Sequence, residues 1–144
     1  MNKARKIKLF LVDDDMLFLK SLEIDFAENG AYQVETFSTG EQCLRNVSYN
    51  PDLIVLDYHL DSVVGGAMNG IEILDQIKAT HPQIPVVILS SQDNIEIAVK
   101  CIHHKAYDYV VKSETCFLRL ENIIAGYFDT QNLKHQINWY MDRM

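Results

Sequence analysis

The stretch PDLIVLDYHLD, residues 51 to 61, runs four apolar residues, Leu53 to Leu56, straight into an aspartate. An unbroken run of Leu, Ile and Val suits a parallel strand covered on both faces, since alternation is needed only where one face meets water. A carboxylate at the end of such a strand is costly to bury unless the protein uses it. Working outward, other runs of strand length are IKLFLV (7 to 12), YQVETF (32 to 37), PVVILS (85 to 90) and AYDYVV (106 to 111), with LIVLD (53 to 57) at the centre. YQVETF alternates more than the others, as an edge strand does.

Between the runs, apolar residues recur three and four apart: Leu17, Leu19, Leu22, Ile24 and Phe26; Ile71, Ile73, Leu74 and Ile77; Ile95, Ile97, Ala98 and Ile102. These predict crossover helices. Ser38 or Thr39 is placed to cap the helix that begins GEQCLRNV, and Asp93 the one that begins NIEIAVK. Gly30 is placed to end the first helix in a left-handed conformation. Five such units joined by right-handed crossovers predict an α/β fold: a doubly wound, five-stranded parallel sheet with helices on both faces, flavodoxin-like, in strand order 2-1-3-4-5. Sheets of this kind bind ligands at the carboxyl ends of their strands.

Those ends carry Asp13, Asp14 and Asp15 after the first strand, Asp57 after the third, Ser90 and Ser91 after the fourth, and Lys112 after the fifth. In that strand order Asp57 faces Asp13 and Asp14. Three carboxylates so close repel one another, and a small hard cation, Mg²⁺ or Mn²⁺, relieves the repulsion while leaving room for a phosphate oxygen. Lys112 adds a positive charge and Ser90 a hydroxyl, so the pocket suits a tetrahedral anion. Asp57 is then placed to be a nucleophile that takes a phosphoryl group as an aspartyl phosphate. Singly, Asp14 or Asp15 reads as a helix cap, Lys112 as a solvated lysine and Ser90 as a turn residue; their joint occurrence at four strand ends carries the inference.

The 144 residues, 48% of them hydrophobic, are enough for one domain. A net charge of -7, from 20 acidic against 13 basic residues, argues against a nucleic-acid surface. The LFLV run behind the basic start is too short for a signal core or a membrane span, so a cytoplasmic protein is expected. Cys43, Cys101 and Cys116 form no CxxC and read as buried apolar side chains. The adjacent His103 and His104 point in different directions on a helix and do not read as a metal pair.

At LFLVDDD, LIVLD, VVILSS and AYDYVVKS the chain resembles a response-regulator receiver domain of two-component signalling, over residues 6 to 128. The resemblance implies a receiver domain at 1 to 128 and a helical extension at 129 to 144. It implies Asp57 as phosphoacceptor and Asp13, Asp14, Asp57 and the His59 backbone carbonyl as ligands of Mg²⁺, with Asp14 a direct ligand. Ser90 would be the switch hydroxyl, Tyr109 the switch aromatic, and Lys112 the partner of the phosphoryl group. The donor would be a sensor histidine kinase or a histidine phosphotransfer protein, and the readout surface the fourth helix, fifth strand and fifth helix. Such a protein is not a conventional enzyme but catalyses its own phosphorylation and dephosphorylation. His59 and Gln92, each two residues beyond a site residue, are placed to modulate the lifetime of the phosphoryl group.

The chain departs from the family pattern in four places. Lys112 is followed by Ser113 where the family has a proline with a cis bond; VVGGA (63 to 67) is inserted ahead of MNG; Asp61 replaces a loop proline; and Ser91 stands where a smaller residue is usual. The insertion, within a loop from Ser62 to Asn69, reads as a kinase-specificity or lid element. In the tail, Leu133, Ile137, Tyr140, Met141 and Met144 share a helical face. That stripe suits packing back on the domain, a dimerising helix, or a linker to an output domain, so a homodimer would use the tail or the readout surface. Three rival readings are a degenerate receiver-fold binding module switched without phosphorylation, a haloacid-dehalogenase-type phosphatase with Asp13 as nucleophile, and a dinucleotide-binding enzyme. Asp57 and the intact acidic set count against the first two, and the lack of GxGxxG after the first strand against the third.

Overall fold

The computed structural model describes residues 5 to 61 and 66 to 143. Five strands, β1 (Ile7–Val12), β2 (Tyr32–Phe37), β3 (Leu53–Asp57), β4 (Val86–Ser90) and β5 (Asp108–Val111), alternate with α1 (Met16–Ala27), α2 (Gly40–Asn46), α3 (Gly70–Thr80), α4 (Ile95–His103) and α5 (Cys116–Asp142). A single 3-10 turn, Val47–Tyr49, follows α2. All strand pairs are parallel, in the order β2-β1-β3-β4-β5.

Alternate residues of one strand serve two cores. Phe10, Val12, Ile54, Leu56, Val86 and Ile88 meet Cys43, Ile73, Leu74, Ile77 and Cys101 from α2, α3 and α4. Leu9, Leu11, Leu53, Val55, Val87 and Leu89 meet Leu19, Leu22 and Phe26 of α1 and Cys116, Leu120 and Ile124 of α5. This is why the central strands carry no alternation: both faces are dry. β2 lies at the edge and keeps a mixed burial pattern. All three cysteines are buried and free.

Several local expectations are corrected. The cap of α4 is Asn94, not Asp93: its side chain accepts from the N–H groups of Glu96 and Ile97. Thr39, rather than Ser38, caps α2. Gly30 is not left-handed; α1 closes in right-handed geometry, with the Glu28 N–H returning to Ile24, and among the described residues Asn50, Lys105 and Gly66 are the ones with positive φ. β4 and β5 begin at Val86 and Asp108, one and two residues later than their apolar runs. Of the apolar residues whose spacing predicts the helices, Leu17, Ile24, Ile95 and Ile102 are exposed.

Candidate functional site

The strand ladders continue one residue past the carboxyl edge, which fixes the main chain from which the polar side chains project. Asp13 donates its N–H to Phe37, Tyr58 to Leu89, and Lys112 to Ser90, at 3.1, 2.8 and 2.8 Å. Asp57 lies opposite Leu89 and Ser90 opposite Val111. β1, β3, β4 and β5 therefore deliver Asp13, Asp57, Ser90 and Lys112 to one rim.

Asp13, Asp57 and Ser90 are the three buried polar residues in the described core. One carboxylate oxygen from each of Asp13, Asp14 and Asp57 lies within 4.8 Å of the others, with Asp14 half-buried. The Lys112 ammonium stands 2.8 Å from Asp13 and 3.5 Å from Asp57. It also sits 4.5 Å from the centre of the Phe18 ring, which shields it on the α1 side. Burial, then the charge of Asp13, push the Asp57 carboxyl up to about 7, against the pull of Lys112. Burial works against the Lys112 charge, but the hydrogen bond and charges of Asp13 and Asp57 outweigh it and hold the ammonium above its usual range.

One ammonium against three converging carboxylates leaves the site short of positive charge, and three oxygen donors of this kind fit a hard divalent ion such as Mg²⁺. Asp15 serves the helix instead, accepting from the N–H groups of Leu17 and Phe18 through its carboxylate and so capping α1. Asp13 in turn accepts from the Asp15 N–H at 2.9 Å, fixing the acidic turn.

His59 donates its backbone N–H to Asp57 at 3.3 Å, and its half-buried ring packs edge-on to Tyr58. Across the rim the Gln92 N–H donates to the Ser90 hydroxyl oxygen at 3.1 Å, while the Gln92 carbonyl accepts from the Tyr109 hydroxyl. The Gln92 backbone thus links Ser90 to Tyr109. Among the described residues there is no cis peptide bond, so Lys112–Ser113 is trans and the ammonium still reaches both aspartates.

Two contributors escape a reading of the sequence. Glu41, in the first turn of α2, accepts the Met68 N–H at 3.0 Å and so fastens the end of the β3–α3 loop. Phe18 is the other. Neither has a local signal, because each acts on a residue distant in sequence. Of the inserted loop, Ser62 to Gly65 lie outside the described residues; Asp61 is exposed.

The family model for the response regulator receiver domain matches residues 9 to 123. The chain belongs to this family. Among receiver-bearing relatives, the nitrogen assimilation regulatory protein NtrX of Azorhizobium caulinodans is 36% identical over 103 residues, covering 71% of this chain and 22% of that protein. The DNA-binding transcriptional regulator NtrC of Escherichia coli is 29% identical over 135 residues, 90% of this chain and 28% of that one. Crystalline NtrX from Brucella abortus superposes with a TM-score of 0.79 at 28% identity, over 93% of this chain and 30% of that one. The receiver chain thus spans under a third of the length of these three relatives. The receiver domain of the Francisella response regulator 1452, 24% identical with a TM-score of 0.75 over 87% of this chain and 99% of that one, shares the fold.

Proposed function

We propose that this receiver is a phosphorylation-activated switch in the cytoplasm, taking a phosphoryl group onto Asp57 from a sensor histidine kinase or a histidine phosphotransfer protein. The observation that carries the reading is the convergence of Asp13, Asp14 and Asp57 on one point, with Lys112 bridging two of them. An Asp57 carboxylate oxygen attacks phosphorus, the bond from phosphorus to the donor imidazole nitrogen breaks, and the imidazole leaves with the electron pair. The product is an acyl phosphate. Such transfer is mostly positioning and charge neutralisation.

Lys112 is placed to follow the phosphoryl oxygens away from Asp13. Asp13, Asp14, Asp57 and the His59 carbonyl would hold Mg²⁺, which supplies neutralisation of the equatorial oxygens when bound. Ser90 then turns its hydroxyl to the phosphoryl group as donor and gives up the Gln92 N–H. That change reaches Tyr109 through the Gln92 carbonyl and shifts the populations of the face formed by α4, β5 and α5. Water attack on the acyl phosphate resets the switch, and the His59 and Gln92 side chains flank its approach; His59→Asn and Gln92→Ala should change the decay rate of the adduct.

The deciding experiment is the intact mass after incubation with a small-molecule phosphodonor and Mg²⁺. One base-labile phosphoryl adduct is expected, absent in Asp57→Ala and in a chelator control. An adduct that survives Asp57→Ala would overturn the assignment.

A further inference from the structure

We infer that the C-terminal part of α5 is a homodimerisation helix, pairing in parallel and in register with the same segment of a second copy of this chain. The last residue of α5 buried against the sheet is Ile124. Beyond it the helix runs on without a break to Asp142, yet Leu133, Ile137 and Tyr140 are 58%, 55% and 65% exposed. The stripe therefore does not pack back on its own domain.

Its spacing identifies the occupant. Gly126, Thr130, Leu133, Ile137 and Tyr140 are separated by four, three, four and three residues. That alternation is the seam of two helices that wind round each other and present the same stripe to one another. Placing Ile137 at the a position puts Leu133 at d, the choice of β-branched and γ-branched residues that favours two parallel strands. Thr130 turns its hydroxyl onto its own backbone, the Gly126 carbonyl, at 2.9 Å and so brings no unmet polar group into the seam. At Gly126 a side chain would meet nothing within 4 Å, which leaves the backbone open to a close neighbour.

Charge sets the direction. Asp129 precedes the a position at 130, and Lys134 follows the d position at 133. In a parallel, in-register pair these flanking positions face each other five residues apart, so Asp129 of each copy meets Lys134 of the other, twice by symmetry. An antiparallel pair would lose this match. Trp139 lies off the seam and carries Arg143 at 4.1 Å over its ring.

The test is sedimentation equilibrium of the full chain, with circular dichroism to show that each variant keeps its fold. A dimer at micromolar concentration is expected. Ile137→Asp should weaken it by on the order of a hundredfold. Asp129→Lys and Lys134→Asp should each weaken it about two- to tenfold, and the double exchange should recover the original affinity. Leu133→Cys should form an intermolecular disulfide on oxidation. A monomer at every concentration, a dimer that survives Ile137→Asp but is lost in Ile102→Asp on α4, or a double exchange weaker than either single change would each overturn the inference.

Discussion

Asp57 holds a charge in the part of the fold least suited to it. An unfolded chain would ionise this carboxyl near pH 4, whereas burial and Asp13 raise it to about 7 in the folded protein. A raised folded value means that the native state binds the proton more tightly. The resulting stabilisation is complete below the unfolded value and is lost as pH rises through about 7. Metal-free Asp57→Asn should therefore exceed wild type in stability at pH 8, by on the order of 2 kcal/mol, and the gap should close by pH 4.5. Urea denaturation in chelator at both pH values reads this out, and an equal gap at both would refute it. Lys112 works in the opposite sense. Lys112→Met should cost roughly 3 kcal/mol at neutral pH by leaving Asp13 and Asp57 without their cation, and adding Asp57→Asn should recover part of that loss. At this scale the carboxylates, Ser90 and Lys112 are legible because each directly follows an apolar run, so the strand itself locates it. Glu41 and Phe18 are not, since an acid in a first helical turn and an aromatic on an amphipathic helix look ordinary until the fold sets them beside Met68 and Lys112.

The elements around the site are held by a few close approaches. Gly70 opens α3 directly beside the end of β3, donating its N–H to the Tyr58 carbonyl at 3.0 Å. A Cβ there would lie 2.5 Å from the Asp57 carbonyl oxygen and 2.8 Å from the Tyr58 Cα, with no flexible side chain to yield. Gly70→Ala should cost about 3 kcal/mol and slow adduct formation through displacement of β3, as measured by denaturation and by mass after a fixed exposure to phosphodonor. One residue earlier, Asn69 and Glu72 form a reciprocal capping box, and Asn69→Ala should cost about 1 kcal/mol with little effect on the chemistry. Strands are the easier elements to read, because two dry faces write themselves as continuous Val, Ile and Leu. Helix ends are harder. Asp93 and Asn94 both carry capping side chains, and the choice rests on which of two adjacent residues leaves the extended conformation. Gly30 looks like a helix stop, but α1 closes two residues earlier with its own backbone hydrogen bonds. The exposed Ile95 and Ile102 show the same limit: helical spacing reveals a stripe but not whether it faces the sheet.

For the molecule as a whole, the strand order collects residues from four strands at one rim, and the deficit of positive charge there links metal binding to stability. Mg²⁺ at about a hundred times its dissociation constant should stabilise wild type by about 2.7 kcal/mol. Asp13→Ala should lose that increment, and thermal unfolding with and without Mg²⁺ compares them directly. The fold class and strand order are readable because five βα units permit few other arrangements. The course of the tail is not, since the sequence leaves open whether its apolar stripe packs on its own domain, and only the exposure of Leu133 and Ile137 shows that it does not. Among the described residues no helix is long and apolar enough to cross a membrane. The 27 residues of α5 form one uninterrupted rod about 40 Å long. Its lower turns are keyed into the sheet by Cys116, Leu120 and Ile124, and the helix runs on through Gly126 without a break. A roll where α5 meets β5 is therefore carried along one unbroken helix to Ile137 and Tyr140, so the rod works as a drive shaft.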